Sequence, residues 1–242
     1  MAGSATASVQ QGPVFGLGAD VLFVEAPRGA RRVVVLAVRN NSGGTLPLTA
    51  QVVRLAPGGA AVHPDGPPPE RNCEAWLSLD RAKLELPGGG SAQLRVSASI
   101  PRNADGEYYA ALVVRTAGSA EYQCTVPVYV RAAGTAKPAA SVLLSGDVAR
   151  SGATRFIVQV INTGNVRCAA GGSIDLRDRN DNRVTDAIPF GSELADLLPG
   201  QQKTVVVACP AVLKGGQYTA TASLNYAKGH PPALARASVE AK

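Results

Sequence analysis

Ile100–Arg115 reads IPRNADGEYYAALVVR, and about a hundred residues later Leu213–Tyr226 reads LKGGQYTATASLNY. Each joins a Gly-bearing turn to an apolar run with the phrase Gly-x-Tyr-x-Ala. Asp-Gly and Gly-Gly are turn dipeptides, and the runs after them are rich in strand-forming residues, so both stretches read as a tight turn entering a β-strand. A framework phrase written twice points to two copies of one domain.

The repetition extends outward from this phrase. ARRVVVLAVRNNSGG (30–44) and ATRFIVQVINTGN (153–165) are each a β-branched strand ending in Asn and a Gly-containing turn. LELPGGGSAQLRVSASIP (84–101) and DLLPGQQKTVVVACP (196–210) each pass through Pro-Gly into an alternating strand that ends at Pro. The order is the same in both halves. Strands are expected in the first half at 21–25, 32–40, 46–55, 75–79, 92–100, 107–116 and 121–131, and in the second at 140–144, 154–162, 172–178, 183–187, 203–209, 217–226 and 233–240. About seven short strands per roughly 120 residues, without helical periodicity, predicts an all-β chain of two tandem immunoglobulin-like β-sandwiches. The expected division is a flexible leader over 1–13, a first sandwich over 14–133, a linker over 134–140 and a second sandwich over 141–242. Trp76 is the single tryptophan and is expected to anchor the first core.

Of the 242 residues, 45% are hydrophobic but only 5% aromatic, so the cores must rest on Val, Leu and Ala. The 26 Gly and 17 Pro imply many turns. No apolar run approaches the roughly 20 residues of a membrane helix, so direct membrane insertion is not expected. The formal charge of +6 is spread singly, with Arg28–Arg32 (RGARR) the one cluster. A nucleic-acid partner would want a clustered basic face with exposed aromatics, and none is written. The opening MAGSATASVQQG lacks the basic and apolar regions of a signal peptide. It reads either as a cytoplasmic start or as one placed where a signal was removed.

Cys73 and Cys124 fall in the first half, Cys168 and Cys209 in the second. An even split fits one disulfide per half and an oxidising compartment. The alternative is four buried thiols. With no Cys-x-x-Cys spacing, neither a zinc site nor a dithiol redox pair is expected.

Chemistry-bearing motifs are absent. His63 and His230 neighbour no nucleophile, and the chain carries no Gly-x-Ser-x-Gly elbow, phosphate loop, dinucleotide fingerprint or His-Glu-x-x-His. The chain reads as non-enzymatic and without cofactor. Asp178, Asn180 and Asn182 alternate as in a calcium loop, but Arg183 holds the glycine position and no bidentate Glu follows. A hairpin turning at Asn180-Asp181-Asn182 is the expected reading, and no metal site is expected. APGGAAVHPDGPPPERN (56–72) is an insertion in the first half only and reads as a surface loop, bland or contact-making.

EYQCTVPVYV (121–130) should be the last strand of the first sandwich, with Tyr122, Cys124, Val126, Val128 and Val130 on one face. Pro127 gives no ladder hydrogen bond, which puts the strand at an edge or leaves one side unpaired. An edge strand with an apolar face can add to another polypeptide.

The phrases VVVLAVRNNS, LELPGGGSAQLRVSASIPRNADGEYYAALVV and VPVYVR in the first half, with VQVINTGNV and ADLLPGQ in the second, resemble the periplasmic chaperones of chaperone–usher pilus assembly, and NTGN with LLPG their archaic branch. The resemblance implies two immunoglobulin-like domains in an L and a periplasmic or cell-surface location. It also implies a pilin-like subunit as partner, with an usher as a possible second. The last strand of the first domain, Tyr122–Val130, would then complete the subunit's open sandwich. Family members anchor the subunit's terminal carboxylate with an Arg and a Lys; the matching positions here are Val24 and Pro127, which cannot do so. Some of the same phrases also resemble Ig-like domains of bacterial cell-surface proteins, which implies the alternative of a structural or adhesion module.

Overall fold

The computed structural model describes residues 10–11, 14–55, 67–117, 122–149, 151, 153–191, 194 and 196–241. The chain divides into two compact units, 1–136 and 137–242. Each is a sandwich of two sheets around its own core.

The first unit holds β1 (Gln10–Gln11), β2 (Phe15–Leu17), β3 (Leu22–Ala26), β4 (Arg31–Asn40), β5 (Leu46–Val53), β6 (Leu77–Leu79), β7 (Lys83–Leu86), β8 (Ser91–Ser99), β9 (Glu107–Thr116) and β10 (Gln123–Ala132). One sheet runs β1-β2-β4-β8-β6 and the other β3-β10-β9-β5-β7. Pairing is antiparallel except for β3 with β10. Leu36, Val38, Leu94, Val96, Leu112 and Val128 alternate inward from the two sheets and are buried. β1 pairs Gln10 with Leu17, so strand structure reaches into the segment expected to be a leader. Glu74–Trp76 forms one 3-10 turn rather than the start of a strand. Trp76 is half-buried at the core margin, its ring 4.2 Å from that of Tyr108, and is not the central anchor expected.

The second unit holds β11 (Ala140–Val148), β12 (Thr154–Asn162), β13 (Gly171–Asp178), β14 (Ile188–Phe190), β15 (Gln202–Ala208), β16 (Gly216–Asn225) and β17 (Ala233–Ala241). Its sheets run β11-β12-β15 and β14-β13-β16-β17. A strand was expected at 183–187, but the regular partner of Gly172–Ile174 is β14. Only Arg183 bridges back, to Arg177. The approach at Gly172 is too close for a side chain: a Cβ there would lie 2.0 Å from the Ser223 carbonyl oxygen and 2.8 Å from the Phe190 ring.

Two repeated phrases have a physical meaning. Gly106 sits at φ +81°, a conformation open to glycine, before β9. The Asp105 amide then donates to the Tyr108 hydroxyl at 3.2 Å, closing the turn onto its own strand. In the second unit the Tyr218 hydroxyl donates to the Lys214 carbonyl at 2.9 Å. Ala110 and Ala220 follow as fully buried core residues. The phrase is thus a strand entry locked by a tyrosine.

The Asn and Leu-Pro-Gly phrases meet in space. Buried Asn40 ends β4 and donates through Nδ2 to the carbonyls of Gly44, Leu86 and Pro87 at 2.8–3.0 Å, while its Oδ1 accepts the Ser42 amide. Buried Asn162 ends β12, donates to Val166 and Leu197 at 2.9 and 2.8 Å, and accepts the Gly164 amide. One amide therefore ties two turns together in each sandwich and adds side-chain hydrogen bonds to their buried backbone carbonyls.

Candidate strand-addition site

β10 pairs with β9 along Gln123–Arg131, but with β3 only along Val128–Ala132. Among the described residues, no strand lies beside Gln123–Pro127 on the side away from β9. The Thr116 amide bonds to the Tyr122 carbonyl, which fixes the hydrogen-bonded pairs of the β9–β10 ladder at even-numbered residues of β10. Pro127, opposite Ala111, accordingly falls in a non-hydrogen-bonded pair, where its missing N–H costs nothing. By the same period of two, Gln123 and Thr125 turn both N–H and C=O outward, whereas the Pro127 C=O on that side is taken up by the start of the β3 ladder at Leu22. Gln123 is exposed and Thr125 half-buried. This is a short template for an added strand.

The side chains fall on the other face from the one a partner would read. Val126, Val128 and Val130 are each 0% exposed and belong to the first unit's core. Tyr122 and Cys124 are half-buried against the same core. What β10 offers outward at this edge is backbone. Val24, opposite Val130, and Pro127 are buried too, so neither position matched to a carboxylate anchor carries a cation.

The cation on β10 is Arg131, and it is engaged internally. Its guanidinium donates to Glu107 Oε2 at 2.7 Å from Nη2 and 3.1 Å from Nε, and it lies over the Phe23 ring at 4.9 Å. Glu107 is wholly buried and also accepts the Tyr109 hydroxyl. A charge-assisted two-toothed contact of this kind is the arrangement that lets a carboxylate be buried. Sequence reasoning missed this pair; Glu107 sits at the first position after the turn, where exposure is the usual expectation.

None of the four cysteines is in a disulfide, contrary to the expected bridge in each half. The strand layout shows why. Cys73 bonds to the Tyr109 carbonyl, whereas Cys124 lies opposite Val114. Five residues of strand separate them, about 17 Å against the under 7 Å a disulfide tolerates. Cys168 pairs with Leu197, beside the Asn162 end of β12, while Cys209 bonds to Thr154 at the opposite end. Burial pushes the Cys73 thiol far up and the Cys168 thiol to about 11, so both are inert.

The other candidates resolve as framework. Asp178–Asn182 is a hairpin turn with Asp181 at φ +63°. The Asp178 carboxylate accepts the Asn182 and Asn180 amides, and Asp175 is clasped by Arg177 at 2.7 Å and Arg183 at 2.9 Å. His230 stacks beside Tyr226 with ring centres 5.8 Å apart. His63 and the rest of 56–66 lie outside the described residues. From the remainder of that insertion, Arg71 reaches over the Tyr108 ring and donates to the Asp105 carbonyl. No group of three or more His, Cys, Asp or Glu side chains among the described residues is placed to hold a metal. Among them, no helix is long and apolar enough to cross a membrane.

No family model matches the chain, and no curated protein does. Solved structures match its fold. One is a chain from a chaperone–tip adhesin complex described as vital for synergistic activation of CFA/I fimbriae biogenesis, with a TM-score of 0.51 and 13% identity over 94% of this chain and 99% of that one. Others are the class 5 fimbriae chaperone CfaA (TM-score 0.49, 13% identity, 92% and 98% covered) and a Salmonella enterica complex of SafA pilin with the SafB chaperone (0.43, 12%, 96% and 97%). The chain has the two-sandwich fold of the fimbrial chaperones.

Proposed function

We propose that this protein is a non-enzymatic, chaperone-like component of pilus or surface-fibre assembly, working in the periplasm. It binds an extended segment of a pilin-like subunit as an added strand along Gln123–Pro127. The observation that carries the proposal is the half-covered β10: β3 closes the edge from Val128 onward and stops. Affinity comes from main-chain hydrogen bonds to the N–H and C=O groups of Gln123 and Thr125, and the start of β3 at Leu22 sets how far the added strand can run. The fold match to a chain from a chaperone–tip adhesin complex supports the choice of partner class.

The test is co-expression with the pilin-like subunits of the same gene cluster, followed by affinity capture. Thr125→Pro removes an outward N–H and leaves the β9 ladder its bonds. It should lower subunit affinity by about tenfold or more, ~1.4 kcal/mol. Thr125→Val should bind as the unaltered protein. Undiminished capture by a folded Thr125→Pro variant, or no complex with any such subunit, would overturn the assignment.

A further inference from the structure

The two sandwiches differ at one place that their repetition makes legible. In the first, the Ile100 amide bonds to the Ala30 carbonyl; in the second, the Cys209 amide bonds to the Thr154 carbonyl. This equates β8 with β15 and Ser97 with Val206, which lie opposite Val33 and Ile157 respectively. β8 has a further strand on its outer side, β6, pairing Ser78 with Ser97, and Ser97 is 9% exposed. β15 ends its sheet: among the described residues no strand lies beyond it, and Val206 is 61% exposed.

The Cys209–Thr154 bond also sets which groups of β15 face the vacant side. Val207, Val205 and Lys203 bond to β12, so Thr204, Val206 and Ala208 turn their N–H and C=O groups outward. These six groups are self-complementary. About a two-fold axis through Val206, antiparallel pairing sets Val206 against Val206 and Thr204 against Ala208 of the other copy, and all six can bond. On the solvent face, Ile157 (40% exposed) and Val206 of each copy become one continuous apolar row, flanked by Leu143 (56% exposed). On the inner face, Val205 meets Val207. The one charged side chain of the strand, Lys203, comes opposite Cys209 and not opposite its own copy. Unguarded edges of this kind, without proline or an inward charge near their middle, are templates for pairing.

We infer that the second sandwich associates with a second copy of this chain through β15, making a six-stranded sheet in which each copy supplies what β6 supplies within the first sandwich. The site is separate from β10, and its failure would leave the subunit-binding proposal untouched.

Light scattering or sedimentation of the full chain at about 100 μM, well above a micromolar Kd, tests it. The expected mass is twice the chain's 24.7 kDa. Val206→Lys sets two ammonium groups face to face on the axis and should halve that mass while leaving the circular dichroism spectrum unchanged. Val206→Cys, oxidised, should yield a 206–206 link between chains, located by peptide mapping, and this decides the matter should the lysine variant misfold. A single-chain mass for the unaltered protein overturns the inference. So does a folded Val206→Lys variant that keeps the doubled mass, or cross-linking that avoids position 206.

Discussion

Asn40 and Asn162 each hold a buried amide among carbonyls of two turns. Asn40→Ala and Asn162→Ala should each destabilise their own sandwich by about 2–4 kcal/mol, because several buried side-chain hydrogen bonds are lost at once. Urea denaturation followed through each unit measures this. Arg131→Ala removes the partner of buried Glu107 and should cost about 3 kcal/mol. Pairing it with Glu107→Gln should recover much of that loss, since the stranded charge is then gone. Asp178 answers to acid instead. Its carboxyl is held below the ordinary carboxylate range, first by the Asn182 amide and then by the Asn182 side chain. Because the unfolded chain keeps the higher pKa, this contribution is complete above about pH 4 and drains away as the pH falls through the lowered value. Asp178→Ala should therefore lower stability at neutral pH, and the gap from the unaltered protein should close in acid. A pH series of melting temperatures reads the difference.

At the scale of elements, β10 shows what a sequence discloses and what it withholds. Its place as last strand of the first sandwich and a side left unpaired ahead of Pro127 are legible in EYQCTVPVYV, although β3 makes β10 an inner strand from Val128 on. Which of its faces meets a partner is not. Alternation assigns Tyr122, Cys124, Val126, Val128 and Val130 to one face, but only tertiary packing says that this face closes the protein's own core. Val126→Glu or Val128→Glu should thus unfold the first sandwich, a loss of more than about 4 kcal/mol visible by circular dichroism, and would be uninformative about binding. The short strands escape sequence reading for a related reason. β2, β7 and β14 span three or four residues, too few for a period of two to declare itself, and long-range pairing alone defines them.

At the scale of the molecule, the tandem arrangement was legible because its phrases do structural work twice: a tyrosine closing a strand entry, an asparagine joined to a Leu-Pro-Gly turn. The cysteines misled because their even distribution carries no distance, and the strand ladders supply it. Alkylation of the unfolded chain without reductant should add four adducts, and Cys73 should resist the reagent in the folded protein. Fewer than four adducts on unfolding would point to bridges that the strand layout forbids. The asparagine clamps also bear on time. Asn40 reaches carbonyls 46 and 47 residues along the chain, and those groups come within its grasp only after β4 and β8 have aligned and the Pro87 turn has formed. Such a contact arises late, so its strength falls on the barrier to leaving the native state and hardly on the barrier to reaching it. Removing the amide should speed unfolding while refolding keeps its pace, and the protein's lifetime under proteolysis would shorten accordingly.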